Sequence, residues 1–355
     1  MPGKNTTFEP LWVDKENALE ILEAKKASGS INDSLAEKIG FLINYGYVVL
    51  PAAISTDLAD QLMDEINHVA DEPEYYIARR SRMAYTYPTR DIYDDPTFRL
   101  IDYHVNSKLA RQTAFCPAIV EILRCCFEAP VNAFQCLTFN YGSQQAMHQD
   151  GAYVVVSKPL QFMASWVALE DVTPGSGELQ YFVGSHKLDD FLFGRHSKSW
   201  LPEKHGKEIH QQFLKHLEDI ANREDMPLEK FLPKKGDALI WASDLVHGGS
   251  KLENGLTRRS IVTHYCPLGV KPNFLNFSGY YAERKVNDDC YFSSRHYDLR
   301  PGSKQRKVVF PSLQARMQRV AACLRAKRTP DLEQPDELFT RLKPAFMGKN
   351  KNKTE

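Results

Sequence analysis

The part of the chain between residues 131 and 270 is built from short apolar segments, each four to eight residues long. Turn-forming residues separate these segments, as in the Pro-Gly-Ser-Gly stretch at 174–177 and the Lys-Gly-Asp stretch at 235–237. Several short strands at such intervals are typical of a β-sandwich or jelly roll. The candidate strands are residues 133–140, 162–169, 179–183, 238–241 and 258–265.

Helical patterns surround these strands. Asp33-Ser34 can cap a helix whose apolar positions recur at helical spacing through Ile43, and Gly46 ends it. Further helices are predicted near 17–26, from Ser55 through Ile66, at 117–127 and at 209–221, and a buried strand at 47–50. The sequence therefore predicts an α+β protein with a mainly β core.

The chain contains no internal repeat and no stretch typical of a linker. We therefore predict one domain with extensions at both ends. The N-terminal extension is residues 1–33, the domain spans 34–310 with a helical insertion near 187–232, and residues 311–355 form a C-terminal helix at 312–327 and a disordered tail.

The charge balance excludes several classes of partner. Lys and Arg total 45 and Asp and Glu total 45, so the formal net charge is +0. Binding to nucleic acid or to an anionic membrane needs a surplus of cations, so neither is expected. The sequence has no run of about 18 apolar residues and no recognisable secretory signal, and its seven cysteines form no CxxC pair. A reduced, cytoplasmic setting is the expectation.

His148 and Asp150 form the strongest local signal for chemistry. Side chains at i and i+2 of a strand project to the same side, so an imidazole nitrogen and a carboxylate oxygen can converge on one metal ion. By itself this spacing is common, and a hydrogen-bonded His–Asp pair in a protein core is the alternative.

Two further features of the sequence, one around His247 and one around Arg258, strengthen the interpretation of this pair as part of a metal site. His247 follows an apolar strand and precedes two glycines, which permit close approach of the backbone. Two histidines and one carboxylate are the ligand set of non-haem Fe(II) oxygenases, which leaves three coordination positions for a 2-oxo acid and O2. Arg258 and Ser260 share one face of the next strand, and an arginine fork suits the distal carboxylate of such an acid.

Four stretches of the sequence resemble the phytanoyl-CoA dioxygenase family of Fe(II)- and 2-oxoglutarate-dependent enzymes. The first runs from Gln135 to Asp150 and includes the His-Gln-Asp motif. The others are Ala-Ser-Trp-Val-Ala-Leu-Glu-Asp at 164–171, Gly-Glu-Leu-Gln-Tyr-Phe-Val-Gly-Ser-His at 177–186 and Gly-Tyr-Val-Val-Leu-Pro at 46–51. They occur in family order, and the resemblance covers about residues 35–270.

The resemblance implies a cupin-like double-stranded β-helix (a jelly roll) flanked by helices. It also implies that His148, Asp150 and His247 ligate iron and that Arg258, helped by Ser260, binds the distal carboxylate of 2-oxoglutarate. By the same resemblance Trp166 and Gln135 either contact the co-substrate or only pack in the core. The implied cofactors are Fe(II), 2-oxoglutarate and O2, and ascorbate is expected to stimulate turnover.

The implied reaction is hydroxylation of an unactivated C–H bond of a small-molecule substrate, with release of succinate and CO2. The carboxylate of Asp150 favours hydroxylation over halogenation, whereas desaturation and epoxidation stay open. A cupin-type metalloenzyme that uses no 2-oxoglutarate and a non-catalytic binding member of the family are the alternatives.

The substrate is the least constrained part of the prediction. Residues 75–93 are rich in Arg and Tyr, and they either cover the site, which would suit an anionic or polar substrate, or form a packed surface loop. Residues 271–300 form the other wall or a subunit contact, and no oligomeric state is indicated. Of the other histidines, His264 is expected in the core or pocket wall and His186 in a turn, whereas His196, His205, His210 and His216 are expected to be solvated.

Overall fold

Six α-helices lie in the part of the chain that the computed structural model describes, which is residues 6–80, 84–272 and 282–300. Five of them precede the β core in sequence, and the sixth lies within the predicted insertion. They are α1 (Ala18–Ala27), α2 (Asp33–Tyr45), α3 (Thr56–Asn67), α4 (Lys108–Ala114), α5 (Pro117–Phe127) and α6 (Pro202–Arg223). No helix among these described residues is long and apolar enough to cross a membrane.

Polar caps and one glycine set the ends of the N-terminal helices. The Asn32 side chain accepts a hydrogen bond from the Leu35 N–H at 2.8 Å, so the cap of α2 lies one residue before the predicted one. Gly46 ends α2 in the left-handed conformation at φ 84°. An added Cβ there would lie 2.4 Å from the His186 Nδ1, so the chain needs glycine for both reasons.

Thirteen strands follow the helices or alternate with them in the described residues. Their bounds are β1 (Tyr47–Leu50), β2 (Ile77–Arg80), β3 (Ala84–Thr86), β4 (Arg99–Ile101), β5 (Val131–Phe139), β6 (Met163–Ala168), β7 (Leu179–Phe182), β8 (Leu228–Phe231), β9 (Ala238–Ala242), β10 (His247–Gly249), β11 (Ser260–Pro267), β12 (Glu283–Lys285) and β13 (Cys290–Ser293). All six predicted strands are present, with ends shifted by at most two residues.

The strands form one large and one small sheet. The ten-stranded sheet has the order β1-β9-β6-β11-β5-β4-β2-β3, with β13 also paired to β5 and β12 to β13, and the three-stranded sheet has the order β10-β7-β8. Trp166, Trp241 and Val262 of the large sheet pack against Tyr181 and Phe231 of the small sheet. This two-sheet core confirms the predicted α+β fold with a double-stranded β-helix.

The opposite face of the large sheet carries the helices α1 to α5. On β11, Val262 points between the sheets, whereas Ile261 and Tyr265 belong to the cluster that includes Ile39 of α2 and Ile119 of α5. Because β11 is buried on both faces, its direction and register are fixed by packing on both sides. The polar residues on the interior face of β11 are therefore held in fixed positions.

Part of the Arg- and Tyr-rich segment at 75–93 is regular structure rather than a loop. Much of it forms β2 and β3, which continue the large sheet beyond β4. Arg79 is directly opposite both Tyr85 and Arg99 in the register of these strands, so polar side chains interrupt the apolar alternation that identifies a strand. The predicted helix at 312–327 and the predicted tail lie outside the described residues.

Candidate metal centre

The structure brings His148, Asp150 and His247 together. Their ligand atoms all lie within 4.8 Å of one another, and all three residues are buried. The Asp150 Oδ1 lies 3.6 Å from the His148 Nε2 and 3.7 Å from the His247 Nε2. This spacing lets one small cation contact one atom of each side chain.

The backbone around these residues differs from the simple strand that the His-x-Asp spacing predicts. His148 and His247 exchange two backbone hydrogen bonds, of 2.8 and 2.9 Å, in an isolated antiparallel bridge. Asp150 then begins a 3₁₀ turn. The strand prediction was thus wrong at Asp150, although the side chains still converge. An added Cβ at Gly248 or Gly249 would lie 2.7 Å from backbone atoms of residues 144–145, so both glycines permit this close approach.

Hydrogen bonds set both histidines in the tautomer that a metal ligand requires. The Nδ1–H of His148 donates to the Ala146 carbonyl at 2.8 Å, and the Nδ1–H of His247 donates to the Leu245 carbonyl at 2.9 Å. The two Nε2 atoms then carry the lone pairs, and the Gln145 side-chain amide donates to that of His148 at 3.0 Å. Burial lowers the pKa of His247 to about 4, so its imidazole is neutral near pH 7.

Asp150 is held as a carboxylate by its surroundings. Burial alone would raise its pKa, but the positive charge that the adjoining His247 and His264 rings carry when protonated holds that pKa well below its usual range. The Trp241 Nε1–H donates to the Asp150 Oδ2 at 2.9 Å, and the His264 Nε2 lies 3.3 Å from the same oxygen. Both donors therefore engage Oδ2, and Oδ1 is left to face the two histidines.

Removing one of these donors is expected to weaken metal binding. In Trp241→Phe the Asp150 carboxylate loses its shorter hydrogen bond. We expect the Kd for Mn²⁺ to rise about tenfold, as is typical when a residue that hydrogen-bonds to a metal ligand is removed. Isothermal titration of the metal-free protein measures this. Trp200→Phe is the matched control, because the Trp200 Nε1–H donates to the Gly206 carbonyl instead. Equal Mn²⁺ affinity in both variants would contradict the positioning role of Trp241.

Arg258 lies between the two sheets, at the end of this interior away from the three candidate ligands, and the residue is 2 % exposed. Its Nη1–H donates to the Gly177 carbonyl at 3.0 Å, and its Cζ lies 5.4 Å from the Trp166 ring centroid and 5.6 Å from that of Phe139. Burial lowers its pKa to about 10, so it stays a cation at neutral pH. No carboxylate of the described residues lies within ion-pair distance of it.

Three buried polar atoms around Arg258 have no hydrogen-bond partner among the described residues. They are the Arg258 Nε, the Ser260 Oγ and the Trp166 Nε1. Unpartnered buried polar atoms are rare and costly in native proteins, so a cluster of three needs a cause. A carboxylate fits this group, since it can accept from all three atoms and neutralise the guanidinium.

Gln135 lies away from this cluster. In the register of β5 and β11 it is directly opposite His264, whereas Ser260 is opposite Phe139. Gln135 is therefore at the metal end of the interior and half-buried, four residues along β5 from the end near Arg258.

The contacts of His264 and Trp241 with Asp150 could not be predicted from the sequence. Strand parity places His264 on the face of Arg258, but its contact with Asp150 depends on how β11 meets the turn at 150–152. Trp241 carried no signal beyond being an aromatic residue at the end of an apolar strand.

Among the other histidines, His186 bonds to the Ile43 carbonyl at 3.1 Å, in the turn at 185–187. His210 is buried rather than solvated, because it lies on the apolar face of α6 and its ring stacks on that of Trp200, with 4.1 Å between the ring centroids.

A buried lysine ties the insertion to the metal centre. The Lys198 Nζ donates to the Asp190 Oδ1 at 2.8 Å and to the Asp244 Oδ2 at 2.9 Å. The three side chains are only 2–4 % exposed. Asp244 lies three residues before His247, and its carbonyl accepts from the Gln149 side chain at 2.8 Å. This Asp190–Lys198–Asp244 triad therefore joins residues 190–198 to both segments that carry metal ligands.

Comparisons with known proteins identify the family and the fold. The family model described as phytanoyl-CoA dioxygenase (PhyH) matches residues 43–260. Among solved structures, the non-heme alpha-ketoglutarate-dependent carbocyclase SnoK from nogalamycin biosynthesis is similar at 14% identity over 70% of this chain and 89% of that chain, with a TM-score of 0.51.

Two further structures share the fold. The epimerase SnoN, in complex with Fe3+, alpha-ketoglutarate and nogalamycin RO, is 17% identical over 73% of this chain and 98% of that chain, with a TM-score of 0.51. EctD from S. alaskensis in its apoform is 15% identical over 68% of this chain and 81% of that chain, also with a TM-score of 0.51. No curated protein matches the sequence significantly.

Proposed function

The chain belongs to the phytanoyl-CoA dioxygenase family, and from this premise we propose that it hydroxylates an unactivated C–H bond of a small-molecule substrate. It is an Fe(II)- and 2-oxoglutarate-dependent dioxygenase that consumes O2 and releases succinate and CO2. The observation that carries this proposal is the pairing of two features in one interior: a buried His-Asp-His cluster and a buried arginine with three unpartnered polar atoms around it.

His148, Asp150 and His247 are the iron ligands. The two neutral Nε2 atoms and one carboxylate oxygen form a ligand set that suits Fe(II) and leaves positions for a chelating 2-oxo acid and O2. When bound, the iron supplies the oxidation of the C–H bond at the expense of O2 and 2-oxoglutarate. Trp241 and His264 bond to the Asp150 Oδ2, so Oδ1 would be the oxygen that holds the iron.

Arg258 binds the distal carboxylate of 2-oxoglutarate. Its unpartnered Nε–H, the Ser260 hydroxyl and the Trp166 indole N–H donate to the two carboxylate oxygens. Because this clamp of Arg258, Ser260 and Trp166 is buried and preformed, the diacid is fixed in orientation before the substrate enters. This pocket also argues against a cupin-type enzyme without a 2-oxo acid, which would not need it, and against a merely binding role.

The structural relatives limit what the fold alone says about the reaction, since SnoK is a carbocyclase and SnoN an epimerase. The Asp150 carboxylate favours hydroxylation over halogenation, and the labelled-oxygen experiment below distinguishes hydroxylation from ring closure and epimerisation, which add no oxygen atom to the product. The substrate is small and polar or anionic, since the interior near Arg258 carries further cationic side chains.

Anaerobic binding followed by turnover tests the function. Fe(II) and 2-oxoglutarate added to the purified protein should give a weak visible charge-transfer band, and O2 with ascorbate should then release succinate slowly without any substrate. Succinate in place of 2-oxoglutarate is the control and should give no band. If 2-oxoglutarate gives no band either, the proposed function is wrong. Incubation with a metabolite extract under ¹⁸O2 then tests for a product heavier by one labelled oxygen atom.

A further inference from the structure

Arg99 is a second buried arginine near the clamp. Its Cζ lies 4.2 Å from the centroid of the Phe139 ring, which Arg258 also approaches, and the residue is 8% exposed. The two guanidinium groups are thus gathered around one aromatic ring, although Arg99 comes from β4 and Arg258 from the residues just before β11. Gathering two like charges in a buried place is unfavourable unless an anion binds there.

A row of residues on the interior face connects Arg99 to the clamp. Ser260 on β11 is directly opposite Phe139 on β5, and Arg99 on β4 contacts Phe139 from the next strand. Arg79 on β2 is directly opposite Arg99, and Tyr85 on β3 is directly opposite Arg79. At a strand spacing of ~4.8 Å, Arg99 lies roughly 10 Å from Ser260 across the sheet. The row therefore leads from the co-substrate clamp toward the outer strands.

The contacts of Arg99 leave donors for a ligand. Its Nη1 donates to the Phe98 carbonyl at 2.6 Å and to the Pro96 carbonyl at 3.2 Å. Its Nε and Nη2 have no hydrogen-bond partner among the described residues. No carboxylate of those residues lies within ion-pair distance of Arg99. Burial, together with the nearby charges of Arg79 and Arg258, lowers the pKa of Arg99 to about 9, so it remains cationic at neutral pH.

We propose that this row binds an oxyanion of the substrate, a carboxylate or a phosphate ester, with Arg99 as the main contact and Arg79 beside it. The proposal rests on the proposed function, because it assumes that Arg258 is occupied by 2-oxoglutarate. The three unpartnered atoms around Arg258 account for one carboxylate. Arg99 belongs to another strand and needs a second anion, which the substrate supplies.

Anion binding to the loaded protein tests this site without knowledge of the substrate. Protein with Mn²⁺ and saturating 2-oxoglutarate, which blocks Arg258, is titrated calorimetrically with inorganic phosphate and, separately, with octanoate. We expect at least one of the two to bind, and Arg99→Gln to raise its Kd at least about tenfold, while Arg99→Lys retains part of the affinity. The probe that binds identifies the oxyanion as a phosphate or a carboxylate.

A surface arginine provides the matched control. Arg90 pairs with Asp71 at 2.8 Å and its side chain is 84% exposed, so Arg90→Gln makes the same change of charge without altering the row. If neither probe binds wild type, or if Arg99→Gln binds as wild type does, the proposal is wrong. It is also wrong if Arg99→Gln weakens 2-oxoglutarate itself as Arg258→Gln does. Failure of the proposed function looks different, because wild type would then not bind 2-oxoglutarate at all.

Discussion

Replacement of Arg258 by glutamine is expected to weaken 2-oxoglutarate binding by about 10²- to 10³-fold and to leave Fe(II) binding unchanged. The guanidinium supplies the positive charge of the clamp and one of its three unpartnered polar atoms, and glutamine cannot provide a charged fork in its place. Fe(II) binding is unaffected because the ligands of the metal bond to other partners at the opposite end of the interior.

Titration of the visible charge-transfer band with 2-oxoglutarate measures the first quantity, and calorimetry with Mn²⁺ measures the second. Arg259→Gln is the matched control, because the neighbouring Arg259 lies 3.9 Å from the Glu170 carboxylate and its side chain is 36% exposed. We expect this control to bind 2-oxoglutarate as wild type does. An unchanged 2-oxoglutarate affinity in Arg258→Gln would overturn the assignment of the clamp.

Replacement of Lys198 by methionine is expected to lower the free energy of unfolding by about 3–5 kcal/mol. Methionine fills much of the same volume but leaves the carboxylates of Asp190 and Asp244 buried without the ammonium group between them. Urea unfolding monitored by circular dichroism gives the value. Because Asp244 is also bonded to Gln149, between two metal ligands, we expect weaker Mn²⁺ binding in the same variant.

Two further variants separate the charge effect from loss of packing. Lys215→Met removes an exposed lysine that pairs with Asp219, and it should change stability by no more than about 0.5 kcal/mol. The triple variant Asp190→Asn, Lys198→Met and Asp244→Asn removes all three charges and should recover part of the lost stability. If Lys198→Met and Lys215→Met unfold alike, the buried triad does not stabilise the fold.

The elements that could be predicted from the sequence are those whose pattern is local. The strand at residues 238–241 and the helix at 117–127 stand out because their apolar residues follow one period, and the structure has β9 and α5 there. The family resemblance is confirmed by the family model, and the two-sheet fold that it implied is confirmed by the structure. The ligand and clamp residues remain predictions, which the variants above test.

The features that escaped prediction depend on contacts between distant segments. Lys198 has no local signal, since a lysine in a polar insertion is normally solvated and only the fold places Asp244 beside it. Trp241 contacts Asp150 only because β9 ends beside the turn at 150–152. The strands β2 and β3 were missed because Arg79 and Tyr85 interrupt the apolar alternation, and the cation at Arg79 is also what makes that face a candidate for anion binding.

The backbone bridge between His148 and His247 also bears on how the protein acquires iron. These residues lie 99 positions apart, and closing a flexible loop of that length costs about 4 kcal/mol of chain entropy. The fold meets this cost through its own hydrogen bonds and packing, so an arriving ion finds a preassembled chelator. We therefore expect iron to leave and return at these proposed ligands without refolding of the chain, unlike the metal of a zinc finger, which has no stable structure until its metal binds.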